Sequence, residues 1–411
     1  MIVHAYYPLG ETRVEREAKA LVDQGVEVDV ISLRKIGEPA QERVDGIDVY
    51  RLPIRRHKGS GLFIQLIEYL SFFFGAFFRV TKLHLRKHYQ VVQAHNLPDF
   101  LVFAALIPKI MGAKVILDIH DLMPEFYAER FKSSMDSFKV SLVRQEERLS
   151  CRFADFVITV TDLWRERLIQ RGVRADKIGV VMNLADQRYF YPVPPDQRPK
   201  RDSGRFTLIY HGGFTQNYGM DYLIRAVKTA REQVHNLRLI LQGRGPYYEV
   251  MVALIKELGL SENIQINDYL LGSADLPAVI YQADMGVVPN YEGVFTGELL
   301  PTKLLEYVAL GMPVIAARTR VISSYFDENQ VRFFNPGDEH SLAAAIIDAY
   351  RRRDDLPAQI QELHRFNDRY NWSSMAAHYV EIVNLLTNQS RQSASGKRNQ
   401  PQEVVSSEHT S

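Results

Sequence analysis

Short runs rich in valine and isoleucine alternate with longer amphipathic stretches along almost the whole chain, and this alternation restricts the fold more than any other feature. The pattern begins with a predicted strand at 2–6, a predicted helix at 13–24 and a second predicted strand at 26–33. Strands that alternate with helices form parallel sheets covered by helices on both faces. The sequence therefore predicts an α/β protein whose first half is Rossmann-like and doubly wound.

The alternation stops once and then resumes. Residues 191–204 contain four prolines and a cluster of charges, a composition that cannot form a core and predicts a linker. A second Rossmann-like half is predicted where the alternation resumes at residue 206, and two domains also suit a chain of 411 residues. The predicted divisions are a first domain at 1–188, a linker at 189–204, a second domain at 205–365, a C-terminal helix at 366–387 that crosses back to the first domain, and a disordered tail at 388–411.

Composition excludes several classes of protein. Lysine and arginine total 50 against 49 for aspartate and glutamate, so no overall positive charge attracts the chain to nucleic acid. The single cysteine, Cys151, excludes an intrachain disulfide and a multi-cysteine metal site, and it suits a reducing compartment. The first residues show neither the basic segment nor the apolar run of an export signal. We expect a cytoplasmic protein without nucleic-acid partners.

One long apolar stretch, residues 62–78, has two interpretations. It is shorter than the roughly 20 apolar residues of a membrane-spanning helix, and it contains Gln65 and Glu68. We therefore predict a helix that covers the sheet. The alternative is a helix with one face on an anionic bilayer, which would make the protein peripheral on the inner face of the membrane. That alternative rests on the basic residues that follow, which are Arg79, Lys82, Arg86 and Lys87.

The most informative segment for function is 291–317. Pro301 and Thr302 mark the start of a predicted helix that contains Lys303 and Glu306. The N–H groups at a helix start, together with a lysine in the first turn, can hold a phosphate. Glu306 follows Lys303 by three positions, so both side chains share one face, and the carboxylate can accept both hydroxyls of a ribose. The segment predicts a receptor for a nucleoside diphosphate.

At these residues the sequence resembles the retaining glycosyltransferases of family 4. Their Glu-x7-Glu motif matches Glu298 to Glu306, and their Gly-x-Pro-Val-Ile continuation matches residues 311–315. The resemblance continues in order over about residues 2–386. It implies the GT-B fold, in which two Rossmann-like domains face each other across a cleft. It also implies transfer of a hexose-type sugar from a nucleoside-diphosphate donor, with no cofactor besides this co-substrate.

The resemblance further implies roles for individual residues. Glu306 would bind the donor ribose, Glu298 would hold the transferred sugar against the diphosphate, and His120 would contact that sugar. Glu298 and His120 are therefore the predicted catalytic residues, while His95 and Arg13 are predicted on the acceptor side. The predicted donor-binding residues are Gly10, Gly212, Gly213, Arg244, Gly297, Leu299, Leu300, Lys303 and Glu306.

Two of these assignments have structural alternatives. Glu306 could pair with Lys303 on a solvated helix face, in which case the spacing would have no functional meaning. His120 could be a hydrogen-bonded structural histidine at the end of a strand.

One departure from the family concerns charge. The family usually carries an arginine and a lysine, about five residues apart, after the first strand of its second domain, and both hold the diphosphate. Residues 210–219 of this chain contain neither. Because a departing diphosphate accumulates negative charge, Lys303 and Arg244 are the predicted substitutes, helped by the N–H groups of nearby glycines.

A missing pattern predicts that the reaction uses no metal. Transferases that depend on Mn²⁺ or Mg²⁺ hold the ion with an Asp-x-Asp pair, which the sequence lacks. We predict a retaining, metal-independent transferase of cell-surface polysaccharide or glycolipid biosynthesis, with a glycan or lipid-linked acceptor. Two alternatives stay open, namely a sugar-nucleotide epimerase or hydrolase of the same fold and a non-catalytic sugar-nucleotide binder.

Overall fold

The computed structural model describes residues 1–8, 11–56 and 61–398 and divides the chain into two compact units. Unit 1 contains Met1–Pro124, Phe138–Val181 and the C-terminal residues from Ala376, and unit 2 contains Glu125–Ser137 and Met182–Met375. Each unit has its own sheet with helices around it. The predicted α/β class with two Rossmann-like halves is confirmed.

The first part of the chain, up to residue 181, forms eight described strands and six described α-helices. In chain order these elements are β1 (Ile2–Tyr6), α1 (Thr12–Val22), β2 (Asp29–Leu33), β3 (Gln41–Val44), β4 (Ile47–Leu52), α2 (Leu62–Lys87), β5 (Val91–His95), α3 (Leu106–Ile110), β6 (Lys114–Ile119), α4 (Met123–Arg130), α5 (Phe138–Phe153), β7 (Phe156–Thr159), α6 (Asp162–Gln170) and β8 (Ile178–Val180).

The remaining part contains six described strands and eight described α-helices. They are β9 (Phe206–Gly213), α7 (Met220–Ala230), β10 (Leu237–Arg244), α8 (Tyr248–Glu257), β11 (Ile264–Asp268), α9 (Leu276–Ile280), β12 (Met285–Val288), α10 (Thr302–Ala309), β13 (Val314–Ala317), α11 (Arg320–Tyr325), β14 (Arg332–Phe334), α12 (Glu339–Arg351), α13 (Leu356–Arg369) and α14 (Trp372–Arg398).

The sheet of unit 1 has the strand order β3-β4-β2-β1-β5-β6-β7-β8 and is parallel except at one edge. There β3 and β4 form an antiparallel hairpin in which Val44 pairs with Ile47. The two connecting residues, Asp45 and Gly46, have φ angles of 50° and 84°. Asp-Gly is a strong sequence signal for such a two-residue turn. The sequence prediction missed β3, although this signal was present.

The sheet of unit 2 is parallel throughout, with the order β11-β10-β9-β12-β13-β14. Its core combines residues of β9, β10, β12 and β13 with buried faces of α7, α8 and α12. Helix α7 illustrates why: Leu223, Ile224, Val227 and Ala230 recur at helical spacing and are all buried. The order places the carboxyl ends of β9 and β12 side by side, in front of the turn that begins α10.

Helix α2 is longer than predicted and has two different faces. Phe72, Ala76 and Val80 are buried at i, i+4 spacing and cover the sheet as predicted. Phe63 and Phe78 keep 74% and 67% of their surface exposed. By length and composition alone, the segment from Phe63 to Lys87 is also long and apolar enough to cross a membrane.

The residues of the predicted linker, 189–204, are grouped with unit 2, which differs from a segment that only connects two domains. The aromatic residue Tyr281 explains the difference. Its hydroxyl accepts a hydrogen bond from the Val193 N–H at 3.1 Å. The Arg198 guanidinium lies 4.8 Å from the centre of its ring. In the chain, unit 1 gives way to unit 2 after Val181, earlier than the predicted boundary at 188.

The C-terminal helix α14 belongs to unit 1 from Ala376 onward. The buried Tyr379 hydroxyl donates to the Gln93 side-chain oxygen at 2.6 Å, which fixes the helix to β5. The helix continues to Arg398, past residue 387 at which the sequence predicted it to end. No proline occurs between Trp372 and Pro401, which suits one continuous helix. Residues 399–411 of the predicted tail lie outside the described residues.

Candidate functional site

The loops at the carboxyl ends of β9 and β10 approach each other closely. The strands run in parallel register, with Gly212 opposite Gly243. A Cβ atom at Gly243 would lie 1.8 Å from the Gly212 carbonyl oxygen, and Gly212 has a φ of 121°. Only glycine satisfies both requirements. Because both residues are glycines, the strand ends expose backbone atoms at the sheet edge where doubly wound folds bind ligands.

Lys303 lies beside this edge, in the first turn of α10. Its side chain reaches inward and the residue is only 7% exposed. The ammonium donates to the Tyr210 hydroxyl at 3.1 Å. It also lies 4.5 Å from the ring centre of Tyr210 and 4.2 Å from that of Tyr218. Among the residues that the structure describes, Lys303 forms no ion pair with a carboxylate.

The buried Lys303 ammonium has little negative charge near it to balance its own charge. Burial lowers the pKa of Lys303 to about 7, although the negative charge of Glu306 acts in the opposite direction. The Tyr210 hydroxyl that accepts from Lys303 donates in turn to the Gly213 carbonyl at 2.8 Å. A buried cation of this kind favours an anionic ligand, because the ligand supplies the missing negative charge.

Glu306 lies one turn further along α10 and is held by a histidine. His211 Nε2 donates to the Glu306 carboxylate at 2.6 Å. His211 Nδ1 lies 2.9 Å from the Tyr307 hydroxyl, which reaches the Ile209 carbonyl at 3.1 Å. The Glu306 side chain keeps 21% of its surface exposed, so a ligand can still reach it. The alternative of a solvated Lys303–Glu306 ion pair is therefore wrong.

Glu298 lies in the turn that precedes α10. Its side chain is half-buried. The Glu298 N–H donates to the Phe295 carbonyl at 3.0 Å, and the Gly297 N–H donates to the Gly293 carbonyl at 2.9 Å. Leu299 is half-buried and Leu300 is buried in the same turn. The sequence prediction thus grouped residues that the structure holds in one short, internally hydrogen-bonded turn, whereas Arg244 is exposed at the end of β10.

In unit 1, His120 follows β6 and remains partly exposed. Its backbone N–H donates to the Asn96 side-chain oxygen at 3.0 Å, and its Nε2 donates to the Asn96 carbonyl. The Asn96 contacts fix the ring orientation, and in the neutral imidazole they leave Nδ1 as a hydrogen-bond acceptor. His120 can therefore accept a hydrogen bond from a hydroxyl through Nδ1. Gly10, predicted to bind the donor, lies outside the described residues.

Arg13 and His95, which the sequence predicted on the acceptor side, are both buried. Arg13 is 1% exposed, and its guanidinium donates twice to Asp118, at 2.8 and 2.9 Å, and once to the Val181 carbonyl at 2.9 Å. His95 is fully buried, with Nδ1 2.8 Å from Asp118. Burial alone would raise the pKa of Asp118, but Arg13 holds it well below its usual range. These side chains are committed to an internal ionic network.

The same network contains the one described group of acidic and histidine ligands close enough to hold a metal ion. Atoms of Glu17, His95 and Asp118 lie within 4.8 Å of one another. The Arg13 guanidinium supplies the positive charge there, since it also lies 3.1 Å from Glu17. Burial raises the pKa of Glu17 to about 8, although the neighbouring Arg13 acts in the opposite direction. The group fits a guanidinium better than it fits a metal ion.

Sequence reasoning missed four residues of the site in unit 2, which are Tyr210, His211, Tyr218 and Glu129. The first three lie within residues 210–219, the segment that lacks the family's arginine and lysine, and the prediction assigned roles there only to Gly212 and Gly213. A histidine and two tyrosines at the end of a strand, before a glycine, were the available signal. Glu129 had none, because its contacts come from residues far away in the sequence.

Comparison with known proteins identifies the family. Residues 10–183 match the model for the glycosyl transferase 4-like domain, and residues 195–365 match the model for glycosyl transferases group 1. The chain is 24% identical over 344 residues to a chitobiosyldiphosphodolichol beta-mannosyltransferase of Debaryomyces hansenii, covering 76% of this chain and 70% of that protein. It is also 24% identical over 205 residues to the putative colanic acid biosynthesis glycosyltransferase WcaL of Escherichia coli, about half of each chain.

Solved structures agree with the fold. The sucrose-phosphate synthase of Thermosynechococcus elongatus superposes with a TM-score of 0.72 at 19% identity, over 92% of this chain and 93% of that one. Anabaena Alr3699/HepE, solved in complex with UDP and glucose, superposes with a TM-score of 0.69 at 16% identity, over 93% of this chain and 98% of that one. Both family models, the relatives and the architecture agree, and the chain belongs to the family 4-like glycosyltransferases of the GT-B fold.

Proposed function

We propose that this glycosyltransferase moves a hexose-type sugar from a nucleoside-diphosphate donor to an acceptor hydroxyl, with retention of the anomeric configuration and without a metal ion. The pathway we propose is the synthesis of a cell-surface polysaccharide or a glycolipid, which is the kind of product in the printed names of several relatives.

One observation carries the proposal, namely the buried ammonium of Lys303 at the start of α10. It faces Tyr210 and Tyr218 rather than a carboxylate. A diphosphate would provide the counter-charge, and the N–H groups at the helix start would add to its binding. The Lys303 ammonium also contacts the ring of Tyr218. Tyr218 belongs to the segment in which the family normally carries its arginine and lysine. Glu306, held by His211, is suited to accept the ribose hydroxyls.

A binding experiment tests the donor assignment. Thermal stability is measured with UDP, GDP and ADP, and with a sugar derivative of the nucleotide that responds. A ligand at 100 times its dissociation constant adds about 2.7 kcal/mol of stability. We expect one nucleotide to raise the melting temperature of the wild-type protein and, at the same concentration, to raise that of K303M by half as much or less. A wild-type protein that responds to none of them would contradict the proposal.

In the proposed mechanism, the departing diphosphate takes the proton of the acceptor hydroxyl on the same face of the sugar. Lys303 and the helix start would stabilise the charge that develops on the diphosphate. Glu298 would hold the transferred sugar. Proton magnetic resonance of the anomeric position in donor and product tests the stereochemistry. An inverted product would refute retention and would indicate a protein base.

The absence of a metal ion from the mechanism has its own test. We expect turnover to survive EDTA and to be insensitive to added Mg²⁺ or Mn²⁺, because a lysine and a helix start take the role that a cation has elsewhere. Loss of turnover in EDTA that Mn²⁺ restores would refute this part of the proposal. Measuring turnover with and without an added acceptor also separates transfer from hydrolysis or epimerisation of the donor.

We propose a lipid-linked acceptor and peripheral contact with the membrane through the exposed face of α2. Phe63, Phe74 and Phe78 lie on that face, with 53% or more of their surface exposed. Only part of the predicted basic cluster is available, because Lys87 binds Asp29 at 2.8 Å. Lys82 and Arg86 are exposed and could contact anionic headgroups.

Vesicle flotation tests the membrane contact. The wild-type protein should float with anionic vesicles, whereas F74S/F78S should remain in the soluble fraction with unchanged nucleotide binding. Substitution of the exposed Leu270 of unit 2 by serine provides the matched control for loss of a surface hydrophobic residue. Equal flotation of wild-type protein and F74S/F78S would refute the contact.

A further inference from the structure

The carboxylate of Glu129, near the end of α4, accepts hydrogen bonds from two separate loops of unit 2. One oxygen accepts from the N–H of Phe295 at 2.8 Å and from the N–H of Thr296 at 3.0 Å. The Thr296 hydroxyl donates to the same oxygen at 3.3 Å. The other oxygen accepts from the Asn217 side chain at 2.9 Å. We call Glu129 with these three partners the Glu129 clasp.

The packing around the clasp depends on a glycine. A Cβ atom at Gly293 would lie 2.3 Å from the Glu129 carboxylate and 2.5 Å from the Thr296 hydroxyl, so no other residue fits there without displacing the carboxylate. The Phe126 ring, one turn earlier on α4, meets the Phe295 ring edge-to-face at 5.4 Å. The carboxylate therefore fits a defined recess rather than a flat surface.

Both loops in the clasp lead directly to the donor site. Phe295 and Thr296 precede Glu298, and the Glu298 N–H donates to the Phe295 carbonyl at 3.0 Å. Asn217 immediately precedes Tyr218, whose ring lies against the Lys303 ammonium. The clasp thus joins the turn that contains Glu298 to the loop that faces Lys303.

We infer that Glu129 is a positioning residue for the donor site, which fixes the two loops relative to each other before the nucleotide sugar binds. The inference rests on the proposed function of Glu298 and Lys303. Glu129 itself does not need to touch the substrate, because its two oxygens are occupied by protein donors. A carboxylate that accepts several backbone and side-chain hydrogen bonds holds them more firmly than a neutral acceptor would.

Because Glu129 already orders the two loops, donor binding loses less conformational entropy in ordering them. Without Glu129, the N–H groups of Phe295 and Thr296 would have to donate hydrogen bonds to water instead. The turn before Glu298 could then adopt several conformations. Binding would then have to select one of them. The expected result is weaker donor binding, because only a fraction of the molecules would be competent to bind.

The test measures donor KM, kcat, the nucleotide dissociation constant and the melting temperature for E129A, E129Q and N217A. E129A should raise KM and the dissociation constant about tenfold, which corresponds to about 1.4 kcal/mol. E129Q keeps the shape and one acceptor oxygen but not the charge, and should recover only part of that loss. N217A removes only the hydrogen bond between Glu129 and the second loop, at an exposed position, and should raise KM about threefold. E292A, which removes an exposed carboxylate from the same turn, is the matched control.

Two results would overturn the clasp. One is an unchanged KM in E129A or, should that variant not fold, in N217A. The other is a fall in kcat that follows the melting temperature while KM and the dissociation constant stay constant, which would indicate a merely structural role. Wild-type protein that binds no nucleotide would refute the proposed function and the clasp together, whereas wild-type binding with an unaffected E129A would refute the clasp alone.

Discussion

Two buried cations, one in each unit, have opposite surroundings. Arg13 of unit 1 binds Asp118 with two hydrogen bonds, and its guanidinium also contacts Glu17 and the Val181 carbonyl. Lys303 of unit 2 contacts one hydroxyl and two aromatic rings. Opposing carboxylates keep the pKa of Arg13 above its ordinary value against the effect of burial, whereas burial lowers that of Lys303 to about 7.

The difference separates structure from function. A buried charge that is fully matched within the protein contributes to the folded state and has nothing left to offer a ligand. A buried charge that is poorly matched costs stability in the free protein, and a ligand of opposite charge can recover that cost. The lack of an opposite charge within the protein therefore identifies Lys303 as the binding residue. In the sequence alone, Arg13 and Lys303 are both basic residues near a loop.

The largest expected effect is on the stability of unit 1. R13M leaves Asp118 buried without its guanidinium partner, with His95 as its remaining contact, and we expect a loss of about 3–5 kcal/mol in the free energy of unfolding. The sequence has two tryptophans, Trp164 in unit 1 and Trp372 in unit 2, so urea denaturation followed by fluorescence in a W372F background reports on unit 1. R174M, at an exposed ion pair with Asp176, is the control and should change little. Equal stability of R13M and R174M would contradict the comparison.

The second effect is on binding. K303M should weaken binding of the nucleotide diphosphate by about 10- to 100-fold, the range expected for loss of about 1.5–3 kcal/mol at a charged hydrogen bond. The melting temperature of the free variant should not fall, because a poorly matched cation has been replaced by an apolar side chain. Calorimetric titration and a thermal scan measure the two quantities. R244M removes an exposed cation and should have the smaller effect, so a larger loss in R244M would reverse our assignment.

The third effect concerns pH. Because the pKa of Lys303 is about 7 in the free protein, the side chain is charged below that pH and increasingly neutral above it. A bound diphosphate favours the charged form, so binding above pH 7 takes up a proton. The dissociation constant should therefore rise as pH increases above 7, by up to about tenfold per pH unit. K303M should abolish this dependence, and an identical slope in K303M would show that another group is responsible.

The smallest effect tests how Glu306 is held. Y307F removes one hydrogen bond from His211, and we expect it to cost about 0.5–1.5 kcal/mol of binding. The loss should concern the ribose, so the ratio of affinities for the nucleotide and its 2′-deoxy form should approach one. Tyr269 is a half-exposed tyrosine of unit 2, and Y269F provides the control. A uniform loss for both ligands would contradict a specific contact between Glu306 and the ribose.

Much of this protein could be predicted from its sequence by local rules. The alternation of strand and helix patterns specified both parallel sheets, because each pattern depends on neighbouring residues. The segment from Glu298 to Glu306 was identified because its residues are close in sequence and the helix places them on one face. The Asp45-Gly46 hairpin was equally local, although the prediction overlooked it.

Other features depended on contacts between distant residues, and only the tertiary structure decided them. Arg13 and Asp118 are 105 positions apart, so the sequence could not show that Arg13 is already neutralised. Glu129 and Phe295 are 166 positions apart, and no short pattern relates them. The sequence determined which chemical groups the protein has and which local elements carry them. Packing decided which of those groups are matched within the protein and which remain for a ligand, because burial and long-range pairing set the energy of every charge.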